Sequence, residues 1–187
     1  SVSFTADGDF ETLAVGSSDT ISFSYSAGSA GGPGENLIVN GDFEDNPLNN
    51  TGWNVFQSIV GWTSPVGLVE VQESNFQTGN TQGNAVVELD SHGYNSNATI
   101  QQIVAIEDAG TYTLSVDYAA RGSNFGTNGF DILVNGEVVS QVRPSQSGFQ
   151  NETVELNLAA GDAVIQFRGE GTQDTIGTVI DNVELRS

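Results

Sequence analysis

Apolar and polar residues alternate along most of the chain, with the period of two that is typical of β-strands. In the run Thr111–Ala120, for example, Tyr112, Leu114 and Val116 fall on one side of the predicted strand. Similar runs predict a short strand within Trp53–Trp62, broken at Gly61, and strands at Gly67–Val71, Ala85–Leu89, Thr99–Ala105, Phe130–Val134, Glu137–Val142, Glu152–Leu158, Ala163–Arg168 and Val179–Leu185. Turn signals such as Asn135–Gly136 separate them, and no segment shows a convincing helical period. The pattern predicts an all-β fold, a jelly-roll β-sandwich.

Four of these strands carry charged residues on the side away from the predicted core. The set comprises Glu70, Glu88, Asp90, Asp117, Arg121, Arg168 and Glu170. If the four strands are neighbours, this side forms a polar, strongly acidic cleft. The alternative is an ordinary solvated face. The two arginines favour the cleft, because they are half of the cations in the chain and could donate hydrogen bonds to hydroxyl groups.

The segment Asn36–Asp45 (NLIVNGDFED) has a short apolar run followed by a turn signal. It predicts an edge or corner strand that ends in a turn, with the oxygen-bearing side chains of Asp42 and Glu44 at the turn. Near the other end of the chain, Asp181 falls on the same side of the strand Val179–Leu185 as the apolar residues. A core-facing carboxylate needs a partner, and the chain has few cations. We therefore expect a calcium ion, with Glu44 and Asp181 among its ligands.

The charge of the chain is strongly negative. It has 24 acidic residues and four cationic ones, a net charge of −20. This balance argues against nucleic acid or an anionic membrane as the partner and suits calcium-rich surroundings. Cysteine is absent, which excludes disulfides and thiolate metal sites. The sequence has no apolar run near the roughly 18 residues of a membrane span and no signal peptide, so we expect no membrane insertion.

The first 35 residues differ from the rest. Residues 1–27 predict strands, with strict alternation at Ile21, Phe23 and Tyr25, and the glycine-rich stretch 28–35 predicts a linker. Residues 1–27 resemble the later half of a repeat found in bacterial surface adhesins, without its final strands. We therefore expect a repeat interrupted by an inserted module at 36–187. The chain lacks an initial methionine, and we expect it to be a part of a longer protein.

The module resembles the galactose-binding-like jelly-roll domains, and in particular the calcium-dependent sugar-binding modules of bacterial RTX-type adhesins. Asn36–Glu44 and Ile180–Leu185 look like the first and last strands of that family. The ordered segments between them are SIVGW (Ser58–Trp62), LVEVQ (Leu68–Gln72), AVVELD (Ala85–Asp90), YTLSVDYAAR (Tyr112–Arg121) and FRGEGTQDTIGTVIDNV (Phe167–Val183). The resemblance covers roughly residues 35–187.

The resemblance implies a structural calcium ion at Glu44 and Asp181, with Asp42 nearby. It also implies a second calcium ion that coordinates vicinal sugar hydroxyls, and the candidate ligands are Glu70, Asp90 and Asp174. Arg121 and Glu88 would contact the sugar beside this second ion. Tyr94, in the polar loop HGYNSN, is the best candidate for stacking on a sugar ring, whereas Trp53 and Trp62 are expected in the core.

Catalysis is not expected. His92 is the single histidine, and with no cysteine it cannot build a zinc site of the usual type. The chain has no G-x-S-x-G nucleophile motif. Carboxylate pairs suited to glycoside cleavage exist, such as Glu88 with Glu70 or Glu170, but the sequence does not show one of them desolvated.

These observations predict a calcium-dependent lectin module of a bacterial adhesin, secreted or at the cell surface. It would be a monomeric module that binds extracellular glycans and not nucleic acid. Two alternatives remain open: a calcium-rigidified spacer of the adhesin stalk, and a carbohydrate-binding accessory domain of a secreted enzyme.

Overall fold

A computed structural model describes residues 34–48, 52–73, 85–92 and 96–187. These residues form fourteen strands, and no helix among them could span a membrane. The strands are β1 Trp53–Phe56, β2 Ser58–Ile59, β3 Trp62–Val66, β4 Val69–Glu73, β5 Ala85–Glu88, β6 Asp90–Ser91, β7 Ser96–Asn97, β8 Thr99–Ile106, β9 Gly110–Ala120, β10 Phe130–Val134, β11 Glu137–Val142, β12 Gln150–Leu158, β13 Gly161–Gly169 and β14 Thr178–Arg186.

Two six-stranded antiparallel sheets make up the fold. Sheet A has the order β1-β4-β5-β14-β9-β12, and sheet B has the order β11-β10-β13-β8-β3-β2. Strands β6 and β7 form a small third pair. The prediction of an all-β sandwich is confirmed. Most predicted strands occur within two residues of their expected bounds, because one face of each packs into the core.

Apolar side chains from both sheets meet between them in one large core. A chain of aromatic rings runs through it: the ring centroid of Trp62 lies 5.5 Å from that of Phe43 and 6.0 Å from that of Phe167, which lies 6.2 Å from Phe130. All four residues have no exposed surface. Trp62 is therefore a core residue, as expected, and its indole N–H donates to the carbonyl of Asn40.

Strand β3 was not predicted. The break expected at Gly61 is confirmed, since this residue has a φ of 76° and lies in a tight turn between β2 and β3, but the strand that begins beyond it at Trp62 was not expected. Pro65 hides β3 in the sequence, since proline is unfavourable within a sheet. The predicted Asn135–Gly136 hairpin is confirmed: both residues have positive φ, as a type I′ turn requires.

The predicted edge strand at Asn36–Asp45 does not form, whereas the turn predicted at its end does. Residues 39–42 lie in turns, and Asn40 and Phe43 have φ values of 52° and 54°, in the left-handed region outside the usual range of a strand. The backbone N–H of Leu37 donates to the carbonyl of Leu185 at 2.9 Å, and the side chain of Asn36 also connects the segment to the end of β14. Its Oδ1 accepts from the backbone N–H of Leu185 at 2.9 Å, and its Nδ2 donates to the carbonyl of Val183 at 3.2 Å.

The predicted orientation of Asp181 is also wrong. The β14–β9 register shifts between Asp181 and Glu184, and Asn182 has a φ of 47°, so a β-bulge reverses the alternation at this point. Asp181 lies opposite Asp117 of β9, on the outer face of sheet A, whereas Val183 lies in the core. Asp181 nevertheless has no exposed surface.

The predicted adhesin repeat at residues 1–27 and most of the linker at 28–35 lie outside the described residues. These two boundaries stay predictions.

Candidate functional site

The outer face of sheet A carries a buried group of carboxylates, which we call the carboxylate cluster: Glu70, Glu88 and Asp90. Glu70 on β4 lies directly opposite Glu88 on β5, and their exposed fractions are 1% and 0%. Asp90, two residues after Glu88, is also fully buried. Because β9 belongs to the same sheet, it brings Arg121 to this face.

The cluster is held by a small number of donors. Nη1 of Arg121 lies 2.7 Å from both carboxylate oxygens of Glu88 and 2.7 Å from the carbonyl of Thr175. The backbone N–H of Gly177 donates to Glu88 at 2.7 Å. Nε2 of Gln72 donates to Glu70 at 3.1 Å and also to Glu88, so one amide joins the two carboxylates. Burial of the acidic residues is therefore supported by specific hydrogen bonds.

The electrostatics of the cluster are unusual for a protein surface. Burial raises the pKa of Glu88 to about 8. The hydrogen bond from Arg121 opposes this shift, and the negative charge of Glu70 adds to it. Among the described residues, one cation forms an ion pair within the cluster, Arg121 with Glu88. The cluster thus has a deficit of positive charge.

Two acceptors at the carboxylate cluster, on Asp90 and Gln72, are buried without a hydrogen-bond partner. Oδ2 of Asp90 accepts from the backbone N–H groups of Asp174 and Thr175, at 2.9 and 2.7 Å, but its Oδ1 has no partner. Oε1 of Gln72 also has none, and Gln72 is 2% exposed. Buried polar atoms of this kind are rare and commonly mark a place where a ligand, ion or water binds.

Asp174, a predicted calcium ligand, meets the cluster through its backbone. Its carboxylate instead accepts from the hydroxyl of Thr127 and from the N–H of Ile176. The hydroxyl of Thr127 also lies 3.0 Å from the carbonyls of Thr172 and Ile176, which fixes the β13–β14 loop over the cluster. The structure therefore buries both Glu70 and Asp90 on this face but directs the Asp174 carboxylate to Thr127.

The sequence analysis missed Asn128, which positions Arg121. The Oδ1 of Asn128 accepts from the N–H of Arg121 at 2.7 Å, and its Nδ2 donates to the carbonyls of Arg121 and Asn124, at 3.1 and 2.9 Å. The residue is 2% exposed. An asparagine in a polar Gly/Ser/Asn loop gives no signal of this role in a single sequence.

Aromatic side chains at this face differ from the prediction. Trp53 lies opposite Gln72, hence on the outer face, and is half-buried, so its expected place in the core is wrong. Its ring centroid lies 4.5 Å from that of the exposed His92, at an interplanar angle of 59°. The backbone N–H of His92 donates to Glu70. Tyr94, the predicted stacking residue, lies outside the described residues.

The fourth strand of the predicted cleft belongs to the other sheet. Strand β13 is in sheet B, so Arg168 and Glu170 lie away from the cluster. There Arg168 and Arg143 both bind the buried Asp131, at 2.7 and 2.9 Å. The pattern of one strand does not reveal which strands share a sheet.

Asp181 forms a second candidate site near the segment Asn36–Asp45. Burial raises its pKa to about 7, and the negative charges of Glu44, Asp117 and Asp42 raise it further, against the hydrogen bond from the N–H of Asn182. Its Oδ2 is buried and has no partner. An unpartnered carboxylate oxygen among like charges is suited to a hard cation such as calcium.

Other oxygen atoms lie near this position. Glu44 accepts from the N–H of Ala85 at 2.9 Å, at the start of β5. Glu73, opposite Ala85 on β4, is 4% exposed and has an unpartnered Oε2, which the sequence analysis missed. A polar cavity of about 300 Å³ opens beside Asp42 and Asn182. Among the described residues, no group of three or more acidic or histidine side chains is arranged to hold a metal ion. An ion held by Glu44 and Asp181 would therefore complete its shell with carbonyls, amides or water. Both calcium sites stay predictions.

Comparison with known proteins identifies the family. The family model described as HpiC1-like, HpiC1 cyclase, matches residues 35–185. The chain belongs to the HpiC1-like family.

Curated relatives are toxins of vibrios. The chain is 32% identical over 154 residues to a multifunctional-autoprocessing repeats-in-toxin protein of Vibrio vulnificus, and 33% identical over 152 residues to one of Vibrio cholerae serotype O1. Each match covers 81% of this chain and 3% of the relative. The predicted relation to RTX proteins is confirmed at this level, and the chain spans only a small part of the length of these relatives.

Solved structures share the fold. A family 16 carbohydrate-binding module has a TM-score of 0.53 and 19% identity, covering 81% of this chain and 100% of the module. A family 35 carbohydrate-binding module from an environmental isolate has a TM-score of 0.51 and 18% identity, covering 73% and 93%. An arabinose-bound α-L-arabinofuranosidase has a TM-score of 0.54 and 13% identity, covering 84% and 27%. This chain thus has a sandwich fold similar to that of two carbohydrate-binding modules and of part of an enzyme.

Proposed function

We propose that this HpiC1-like domain binds carbohydrate on the outer face of sheet A, as a module of a longer RTX-type protein that is secreted or displayed at the cell surface. The observation that carries the proposal is the pair of buried acceptors without partners, Asp90 Oδ1 and Gln72 Oε1. Sugar hydroxyls are donors of suitable size and polarity for such atoms. The fold likeness to two carbohydrate-binding modules supports the proposal.

In this proposal each residue of the site has a distinct role. Asp90 and Gln72 accept from sugar hydroxyls. Arg121 fixes Glu88 and the carbonyl of Thr175, which keeps the β13–β14 loop in place as a wall of the site. Because the acceptors are already held by the sheet and the loop, binding would cost little conformational entropy.

Calcium belongs to the proposal in two places. An ion at Glu44 and Asp181, near Asp42, would stabilise the N-terminal segment against β5 and β14, and the unpartnered Oδ2 of Asp181 supports it. A second ion at Glu70 and Asp90 would polarise a sugar diol, and the unpartnered Oδ1 of Asp90 supports that ion. Asp174 would join it only after its carboxylate leaves Thr127.

The domain has no catalytic step of its own in this proposal. The family description names a cyclase, and one similar structure is a glycosidase, so catalysis is the competing hypothesis. The other is a calcium-rigidified spacer. The three differ in outcome: a binding module retains an unchanged sugar, an enzyme alters it, and a spacer retains none.

A glycan array probed with the folded chain, in calcium and in excess chelator, tests the proposal. We expect binding to a set of related sugars and recovery of the sugar unchanged. Asp90→Asn replaces the unpartnered acceptor by an amide that can present a donor, so it should abolish binding. The control is Asp162→Asn, an exposed position on β13, which should bind like wild type. An empty array from folded wild type contradicts carbohydrate binding, and calcium-independent spots contradict only the second ion.

A further inference from the structure

The edge of sheet A exposes an aromatic ring beside the carboxylate cluster. Strand β1 is the edge strand of this sheet, and Trp53 is its half-buried residue opposite Gln72. On β4 and β5, by contrast, the side chains of this face are buried. Among the described residues of these three strands, Trp53 is thus the large apolar side chain on this face that a ligand can contact.

The position of Trp53 is fixed by its neighbours. His92 contacts its ring at a centroid distance of 4.5 Å, and the backbone of His92 is bound in turn to Glu70 of the cluster. The angle of 59° between the rings is tilted and not stacked, so the imidazole meets the indole without lying flat on it. His92 therefore connects the indole to the buried carboxylate cluster on the outer face of sheet A.

The charge of the surface limits the ligand. Glu70, Glu88 and Asp90 outnumber Arg121, and the whole chain has a net charge of −20. An anionic sugar, such as a uronic acid or a sialic acid, would be repelled by the cluster and by the field of the domain. A neutral pyranose has what the surface requires: hydroxyl donors on its rim and an apolar C–H face for the ring.

We propose that Trp53 is the stacking residue of the sugar site and that the site selects neutral pyranosides and rejects anionic ones. This inference rests on the proposed carbohydrate binding at the same face. It assigns to Trp53 the aromatic contact that the sequence analysis placed at Tyr94, and it assigns to Asp90 and Gln72 the hydroxyl contacts on one side of the same ring.

The two tryptophans of the chain provide a direct readout. Trp62 has no exposed surface and lies in the core, so a change of tryptophan fluorescence on adding a sugar reports on Trp53. The probes are the methyl glycosides of glucose, galactose and mannose, with the methyl glycosides of glucuronic and galacturonic acid as their anionic counterparts. Each is titrated into the 187-residue chain, and the same sugars are tested for binding by calorimetry, which needs no fluorescence.

We expect a neutral glycoside to bind with a change in fluorescence and the uronic acid counterpart to bind at least tenfold more weakly. Trp53→Ala should weaken binding about tenfold while the domain stays folded, as its circular dichroism spectrum would show. Trp53→Phe keeps a smaller ring and should retain part of the affinity. Trp62→Phe, the matched control, should keep both the affinity and the fluorescence change.

The outcomes separate this inference from the proposed function. If wild type binds a neutral glycoside and Trp53→Ala binds it equally well, the stacking role is wrong while carbohydrate binding stands. If the uronic acids bind as tightly as the neutral sugars, the selectivity is wrong. If folded wild type binds none of these sugars and no spot of the glycan array, carbohydrate binding itself fails.

Discussion

Glu88 and Arg121 form a buried ion pair in which one guanidinium nitrogen lies 2.7 Å from both carboxylate oxygens. The side chain of Glu88 is fully buried and that of Arg121 is 15% exposed. Removing one partner of such a pair leaves an uncompensated charge inside the protein and strongly destabilises it. Replacing both partners by apolar residues, by contrast, often changes the stability little. The pair therefore determines whether the acidic face of sheet A can stay buried.

Measured at about pH 9, above the pKa of about 8 of Glu88, Arg121→Met should lower the free energy of unfolding by about 3–5 kcal/mol, because the ionised, buried Glu88 then loses its cation. Urea denaturation measures this change. The double variant Glu88→Gln, Arg121→Met should be less destabilised than Arg121→Met alone, since no charge is then left without a partner. A loss below about 0.5 kcal/mol for Arg121→Met, the range of ordinary surface substitutions, would contradict the account.

Asp131, on sheet B, should make the stability of the domain depend on pH in the acidic range. Burial opposes its ionisation, but the hydrogen bonds from Arg143 and Arg168 outweigh burial, so the pKa of Asp131 lies below its usual range. A carboxyl with a lowered folded-state pKa contributes stability above its unfolded-state pKa, and this contribution is lost as the pH falls through the folded-state pKa. Wild type should therefore lose stability in acid through this group.

Asp131→Asn should remove that part of the pH dependence. Its free energy of unfolding should lie below that of wild type at neutral pH, and the difference should shrink as the pH falls below about 4. Denaturant titrations at a series of pH values measure the difference. Asp162→Asn, at an exposed position on β13, is the control and should follow wild type throughout. A difference that grows in acid would show that the arginines do not stabilise the ionised form.

The strands themselves could be predicted from the sequence, because the alternation in Thr111–Ala120 and similar runs reflects one face packed in the core. The burial of the outer face could not. Glu70 and Glu88 look like solvent-facing residues of alternating strands, and the donors that hold the buried Glu88 belong to residues distant in the chain, Arg121 and Gly177. Charged positions in one strand carry no information about such partners.

Local backbone irregularities account for the other differences. One residue added by the bulge at Asn182 reverses which side of β14 faces the core, so parity read through Asp181 gives the wrong face. The side chain of Asn36 replaces a strand hydrogen bond at Leu185, which an apolar run cannot reveal. Trp53 lies at an edge strand, where a large aromatic residue need not enter the core.

The effect of Asp181→Asn on the melting temperature should change sign when calcium is added. Without calcium the substitution removes a buried charge that faces Glu44, Asp117 and Asp42, so the variant should melt above wild type. With free calcium at about 100 times its dissociation constant, wild type gains about 2.7 kcal/mol from an ion at this site, and the variant should then melt below it. Thermal melts in calcium and in chelator measure both. The same order of melting temperatures in the two buffers would place any bound calcium away from Asp181.

The backbone of Thr175 is strained, and we expect this strain to lower the stability of the domain at the candidate site. Its φ is 65°, a left-handed conformation that is strongly unfavourable for a β-branched residue. Its N–H donates to Asp90 and its carbonyl accepts from Arg121, and these two backbone contacts hold it there. Strain of this kind costs roughly 1–3 kcal/mol and is typical of functional sites.

Thr175→Gly keeps both backbone contacts and relieves the strain. Because glycine also costs about 0.5–1 kcal/mol of unfolded-chain entropy, we expect a net stabilisation of about 1 kcal/mol in urea denaturation. The matched control is Thr172→Gly in the same loop, which lacks a positive φ and should lose about 0.5–1 kcal/mol. If both substitutions destabilise equally, Thr175 is not strained. If Thr175→Gly is more stable but binds sugar more weakly, the strained conformation serves binding, since the added freedom of the loop must then be lost when the ligand is bound.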